Sequence, residues 1–224
     1  MKRLELSVDD GYAQWAGHYD AYPNALIALE EPIVKSILGD VRGKRVLDVA
    51  CGTGRHAVWL ADEGAYVTAM DRSEAMLARA RSKTDRVRWL EGSLDALPFD
   101  DGAFDLVVCA LVFEHIQDIR PGIREAARVL ASGGRYVMSV FHPAFLWKGV
   151  VPHFVSAHDA SLEYAMPAYV HLPSEYVTTM RDVGLAIGHF SEPIVDDAVC
   201  ARFPNMVKHR GLPLAIVLEG VSQR

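Results

Sequence analysis

Val46-Leu47-Asp48-Val49-Ala50-Cys51-Gly52-Thr53-Gly54-Arg55-His56-Ala57 decides how this chain folds. An apolar run breaks into a glycine-bearing turn, and the residues behind the turn suit a helix. The pattern predicts a strand over 45–50 and a helix over 55–63. Glycine has no Cβ and accepts φ > 0 at little cost, so the backbone N–H groups of such a turn can come close to a ligand. The free amides that open the helix add partial positive charge, which suits a carboxylate or a phosphate.

Working outward, strands and helices alternate. The periodicity predicts strand 65–70, helix 73–82, strand 86–91, strand 104–110, helix 121–130 and strand 135–141. Ser73 is a helix-capping type, with Glu74 in the first turn behind it. Phe104 to Ala110 is nearly unbroken apolar sequence, as in a strand covered on both faces. This alternation implies right-handed crossovers and a doubly wound α/β fold with a parallel sheet. Ligands of such sheets lie at the carboxyl ends of the strands. Ala50, Asp71, Ser93, Ala110 and Phe141 therefore share one rim.

The flanks read differently. Residues 1–43 form a helical cap, with helices expected from Val8 to Tyr19 and from about Glu31 to Gly39, Pro32 falling in a first turn. Residues 142–173 hold Pro143, Pro152, Pro167 and Pro173, many aromatics and no clean period. A long segment of that kind is expected to be a lid over a substrate, with some short helix or strand inside and with Trp147, Tyr164 and Tyr169 as a candidate aromatic wall. Residues 174–224 supply a helix over 174–183, a strand over 185–190 and a last strand near 213–219. The whole is expected to be one domain, 1–224, with the core over 44–141.

Gly52-x-Gly54-x-x-Ala57 also satisfies the dinucleotide fingerprint, and Asp71 stands about 20 residues on, where a ribose-binding acid belongs. NAD and S-adenosylmethionine both carry an adenosine, so neither feature separates them. Asp48 does. A carboxylate inside a buried strand is costly unless paired, and the ammonium of a methionine moiety is a natural partner. Together with Glu91-Gly92-Ser93-Leu94-Asp95-Ala96-Leu97-Pro98-Phe99 and the terminal strand around Gly211–Glu219, these residues resemble the class I S-adenosylmethionine-dependent methyltransferases, particularly the small-molecule group that includes ubiquinone/menaquinone-type enzymes. The resemblance is strong over 44–141 and looser elsewhere. It implies a Rossmann-like, mostly parallel seven-stranded sheet with an antiparallel last strand. It further implies that Asp48, Ala50, Gly52 and Gly54 hold the methionine moiety, that Asp71 holds the ribose, and that Arg72, Met76, Ser93 and Leu94 border the adenine, with Ala110 on the rim. Tyr19-Asp20 is similar to a Tyr-Asp pair whose tyrosine lies over the methionine end. Two positions depart from the pattern: Ser93 stands where the family has an acid, and Ala50 where many members have glycine.

Methyl transfer from a sulfonium needs alignment and exclusion of water more than it needs catalytic groups. A base matters only for an O–H or N–H nucleophile. His142 at the end of the fifth strand and His115 in Glu114-His115 are the candidates, although either pair can equally be ordinary turn or helix-start sequence. His153, His158 and His171, with Asp159 and Glu163, match no metal-ligand spacing, so no metal is expected. Cys51 reads as a packed residue. Three cysteines without metal spacing suit a reducing cytoplasm. The net charge of −6 argues against a nucleic-acid partner, and no apolar run reaches the ~18 residues of a membrane span. The expectation is a cytoplasmic monomer or homodimer that methylates a small organic acceptor at oxygen, nitrogen or carbon. An NAD-dependent oxidoreductase is the competing reading, disfavoured by Asp48 and by the lack of a hydride-relay Tyr–Lys pair. A non-catalytic S-adenosylmethionine-binding protein is the third, which the Ser93 departure keeps open.

Overall fold

A computed structural model describes residues 1–224. In chain order the elements are β1 (Lys2–Glu5), α1 (Val8–Trp15), α2 (Ala25–Leu38), β2 (Arg45–Val49), α3 (Arg55–Asp62), β3 (Tyr66–Asp71), α4 (Glu74–Arg81), β4 (Arg88–Glu91) and β5 (Phe104–Ala110). There follow α5 (Arg120–Val129), β6 (Leu130–Phe141), α6 (Pro143–Trp147), β7 (His153–Val155), β8 (Leu162–Ala165), α7 (Pro173–Asp182), β9 (Leu185–Ser191), α8 (Asp197–Arg202) and β10 (Ala215–Ser222). Seven strands build the central sheet in the order β4-β3-β2-β5-β6-β10-β9. The pairs from β4 through β6 are parallel, and β10 runs antiparallel to both β6 and β9. The expected Rossmann-like sheet with its antiparallel end is present.

Strand periodicity divides the core into two layers. Leu47, Val49, Val107 and Cys109 point into the layer covered by α5 and α7. Val46, Leu106 and Val108 point into the other, with Val34 and Leu38 of α2 and Ala57 and Leu60 of α3. Central strands buried on both faces account for the near-continuous apolar runs in β2 and β5. Arg45 and Asp105 tie the entries of these two strands together through an ion pair at 2.6 Å.

Three elements differ from the sequence-based expectation. Helix α2 starts six residues earlier than predicted, because the Asn24 side chain accepts hydrogen bonds from the amides of Leu26 and Ile27 at 2.9 and 3.3 Å. Pro32 consequently sits inside the helix. Helix α1 stops at Trp15, ahead of Gly17, and a short 3-10 turn over Tyr19–Ala21 follows. The third difference is larger. The 142–173 segment contains a β-hairpin, β7–β8, and the N-terminal residues join it as β1, giving a second sheet in the order β1-β8-β7. Residues 2–5 alternate too briefly to announce a strand, since their partner is about 160 residues away. This small sheet and α1 enclose a satellite core of Trp15, Phe154 and Met166, in which the Trp15 and Phe154 rings stack at 4.7 Å. The cap and the lid thus form one lobe above the strand ends. No helix is long and apolar enough to cross a membrane.

Candidate active site

Two cavities open above the carboxyl ends of the parallel strands. The first is built on the β2–α3 turn. Tyr19, Asp48, Ala50, Gly52, Asp71, Arg72, Met76, Ser93, Leu94, Ala110 and His115 all line it. Gly54 and His142, named with them from sequence, do not.

The local folding shows why the residues converge. Ala50 follows β2 directly with φ +56°, and Gly52 and Gly54 come next at +54° and +81°. Three left-handed residues in five turn the chain back sharply at the crevice. Left-handed backbone costs a non-glycine residue about 1–2 kcal/mol, and Ala50 bears that strain here. Leu111, just past β5, bears it as well at φ +57°. Both strained residues line this crevice, as strain at functional sites tends to do. Asp71 braces the turn from β3: its Oδ2 accepts from the Gly52 amide at 2.7 Å and its Oδ1 from the Ser73 amide at 2.8 Å. Burial pushes the Asp71 carboxyl up and those amides pull it back down. Asp20 latches the cap onto the same turn, accepting from Thr53 Oγ1 at 2.6 Å and pairing with Lys83 at 2.7 Å.

Asp48 is the telling group. It is 2% exposed, and its Oδ2 has no hydrogen-bond partner. Burial raises its pKa to about 7, against the pull of Arg55 and of the Ala57 amide. Arg55 opens α3 and is held by Glu30 at 2.7 Å and by Glu31 at 3.4 Å. A buried carboxyl with one free oxygen, the amides of a helix start and a strand-end acid fit an ammonium, a carboxylate and a ribose diol in turn. Those are the groups of S-adenosylmethionine, and the residues present fit it. Met76 and Leu94 give the crevice an apolar stretch, and Ser93 between them in its lining bears a hydroxyl.

Asp48→Asn separates binding from stability. The variant is expected to bind S-adenosylhomocysteine about 1.5–3 kcal/mol more weakly in calorimetry, the value of a hydrogen bond to a charged group. Its unliganded form should be no less stable than the parent. The sign follows from linkage: a carboxyl near 3.9 when unfolded and about 7 when folded stabilises at low pH. That contribution is lost as pH climbs through about 7. The parent is therefore expected to lose stability relative to the variant between about pH 4 and 7. A variant that unfolds more readily at pH 8 would contradict this account.

The second cavity, about 480 Å³, lies under the cap and lid. Tyr12, Tyr19 and Leu111 line both cavities, so the two meet at these residues. Glu114 and His115 straddle the junction. His115 faces the first cavity and Glu114 the second. The His115 Nδ1–H donates to the Pro167 carbonyl at 2.9 Å, which leaves Nε2 to accept the Tyr12 hydroxyl at 3.1 Å. Burial keeps this imidazole below the usual histidine range and both phenols, Tyr12 and Tyr19, above theirs, Tyr19 at about 12. His115 thus fixes the Tyr12 ring. Glu114 is 4% exposed, with its Oε2 unpartnered, and burial raises its carboxyl to about 7.

His142 has other work. The Ala144 amide donates to its Nδ1 at 3.1 Å, and its Nε2–H donates to Glu192 at 2.9 Å, so the ring caps α6 and both nitrogens are engaged. In the lid, His153 and His171 bond to the carbonyls of Val151 and Ile116. Cys51 is buried, which raises its thiol well above the ordinary range. Sequence reasoning passed over Tyr12 and Leu111. Tyr12 carried no signal beyond an aromatic on a cap helix, and the left-handed backbone of Leu111 has no sequence signature.

A methyltransferase-domain family model matches residues 47–138. A demethylmenaquinone methyltransferase of Clavibacter sepedonicus is 33% identical over 182 residues, covering 79% of this chain and 72% of that protein. A demethylmenaquinone methyltransferase of Thermus thermophilus is 45% identical over 106 residues, 45% of this chain and 48% of that one. The chain thus spans from about half to seven tenths of the length of these curated relatives. Among solved structures, an S-adenosylmethionine-dependent methyltransferase from Mesorhizobium loti shares the fold with a TM-score of 0.72 at 23% identity, over 88% of this chain and 100% of that one.

Proposed function

This chain belongs to the S-adenosylmethionine-dependent methyltransferases, and we propose that it methylates a small, largely apolar acceptor lodged in the second cavity. One observation carries the reading: the crevice suited to the cofactor and the largely apolar cavity meet at Tyr12, Tyr19 and Leu111, with a buried carboxyl that keeps one oxygen unpartnered beside the meeting point.

S-adenosylmethionine supplies an activated methyl group on a sulfonium when bound. The chain's own residues do the rest. Asp48, the β2–α3 turn and Asp71 hold the ammonium, carboxylate and ribose, and the Tyr12 and Tyr19 rings offer electron-rich faces to a cation. The cap and lid lobe excludes water, which strengthens every electrostatic contact inside. Glu114 accepts the proton of an O–H or N–H acceptor at its Oε2. His115 acts through Tyr12, holding that ring in place. Action in a reducing cytoplasm suits the free, buried thiols of Cys51, Cys109 and Cys200.

Thermal-shift scans with S-adenosylhomocysteine and with NADH test the cofactor assignment, since only a ligand of the native state raises the midpoint. A rise with the first alone is expected. Incubation with labelled S-adenosylmethionine and a metabolite extract should then yield a labelled product one methylene heavier than its precursor. Binding without any labelled product would favour a non-catalytic role.

A further inference from the structure

The acceptor cavity carries charge that methyl transfer does not require. The chain as a whole is acidic, at −6, yet the lining of this cavity is not, since Arg3 and Lys208 match its acids in number. Its two acids are Glu114 and Glu163. Glu163 is already engaged: it accepts from Arg3 Nε at 2.7 Å, and His153 Nε2 stands 3.7 Å away. Lys208 lines the cavity and makes no ion pair, while nearby Arg210 is taken by Asp197 at 2.7 Å. Next to it His209 is buried, its ring 4.8 Å from that of Phe145 and its Nδ1 without a hydrogen-bond partner. Burial, then Lys208 and Lys148, hold this imidazole below the usual histidine range. Two lysines therefore press on a buried ring that has a free nitrogen, and no carboxylate is among the groups acting on that ring.

We propose that the acceptor carries a carboxylate, held by Lys208 and the His209 Nδ1–H, while its apolar body lies along Phe141, Phe145, Phe203, Met206 and Leu214. This deepens the proposed function and rests on it. A carboxylate gives Lys208 its missing partner and lets His209 donate, and charge-assisted bonds of this kind are about twice as strong as neutral ones. The aromatic and aliphatic side chains named here belong to one cluster that packs the C-terminal segment against α6 and the end of β6. They offer a flat ring system an apolar bed, so the site selects an aromatic acid over its uncharged counterpart.

The test uses the full chain, saturated with S-adenosylhomocysteine, and two probes of one shape: 2-naphthoate and 2-naphthamide. Calorimetry is expected to show naphthoate binding about tenfold more tightly than the amide, a preference worth about 1.4 kcal/mol that shrinks as salt screens the exposed lysine. The ring signals of His209 should shift on adding naphthoate. Lys208→Gln, a change at an exposed position, should remove most of the preference and leave amide binding as it was. Equal or tighter binding of the amide, failure of both probes to bind at millimolar concentration, or a preference that survives Lys208→Gln would each overturn the inference. Binding of S-adenosylhomocysteine, measured first and alone, keeps the two ideas apart. If it fails, the proposed function falls. If it succeeds and the acid preference is absent, only the carboxylate site falls.

Discussion

Glu114→Gln is expected to slow transfer to an O–H or N–H acceptor by roughly 10²–10⁴-fold, the usual worth of a positioned general base, or about 3–5 kcal/mol of barrier. Affinity for S-adenosylhomocysteine should stay the same, because the carboxyl faces the second cavity and the cofactor crevice lies on the far side of Leu111. The glutamine keeps the shape and removes the base. The pH profile supplies a second readout. Only the carboxylate can take a proton, so parent activity should rise with pH and level off above about 7, where burial has placed the group. Glu30 repels the charged form from α2, while the amides of Glu114 itself and Phe141 favour it. The variant's residual activity should lack this rise. Stability runs the other way: a carboxyl near 4.3 when unfolded and about 7 when folded stabilises only at low pH. At pH 8 the variant should be at least as stable as the parent, which separates lost chemistry from lost folding. A variant with full activity on an acceptor that must lose an O–H or N–H proton would remove Glu114 from the reaction.

Where sequence reasoning succeeded, a local signal and the tertiary demand coincided. The β2–α3 turn reads correctly because glycines, an apolar strand and a strand-end acid each announce themselves within about 25 residues. The alternating core reads correctly because both faces of each central strand must be apolar. The acceptor lobe was less legible, since its contacts are distant in sequence. Lys2 to Glu5 become a strand only against Leu162–Ala165. Lys208 and His209 reach the cavity from a short 3-10 helix some 60 residues beyond α6. Helix α2 was foreseen too short, because Pro32 invites a first-turn reading and the capping amide of Asn24 outweighs it. His142 takes a role other than the expected one for a physical reason as well. A histidine at a strand end can face a ligand or cap the next helix, and only the Ala144 amide and Glu192 reveal that His142 caps. Glu114-His115 reads from sequence either as an acid and base near the rim or as helix-start residues, and what sequence does not reveal is that Glu114 is buried with one oxygen free.

Gly52 and Gly54 look interchangeable in the motif and should behave oppositely when changed to alanine. At Gly54 a Cβ would stand 2.5 Å from the Trp89 ring and 3.2 Å from the Ala80 Cβ, on a backbone at φ +81°. Left-handed strain of about 1–2 kcal/mol adds to an overpacking cost of about 1–3 kcal/mol. The Trp89 ring has little room to yield, since its Nε1–H is tethered to the Thr84 carbonyl. For a chain of this length that sum lowers the melting midpoint by roughly 5–15 °C. At Gly52 the backbone is also left-handed, at φ +54°, but a Cβ would meet nothing within 4 Å. Gly52→Ala is therefore expected to cost only the strain, about 1–2 kcal/mol. Its methyl group, however, would project into the crevice that Gly52 lines, where a ligand's carboxyl end must approach the turn amides. Gly52→Ala should accordingly lose S-adenosylhomocysteine affinity out of proportion to its stability, and Gly54→Ala the reverse. Thermal scans and calorimetry on both variants decide the matter. A Gly52→Ala protein that binds as the parent does would mean that the turn approaches no ligand, and that its glycines serve the fold alone.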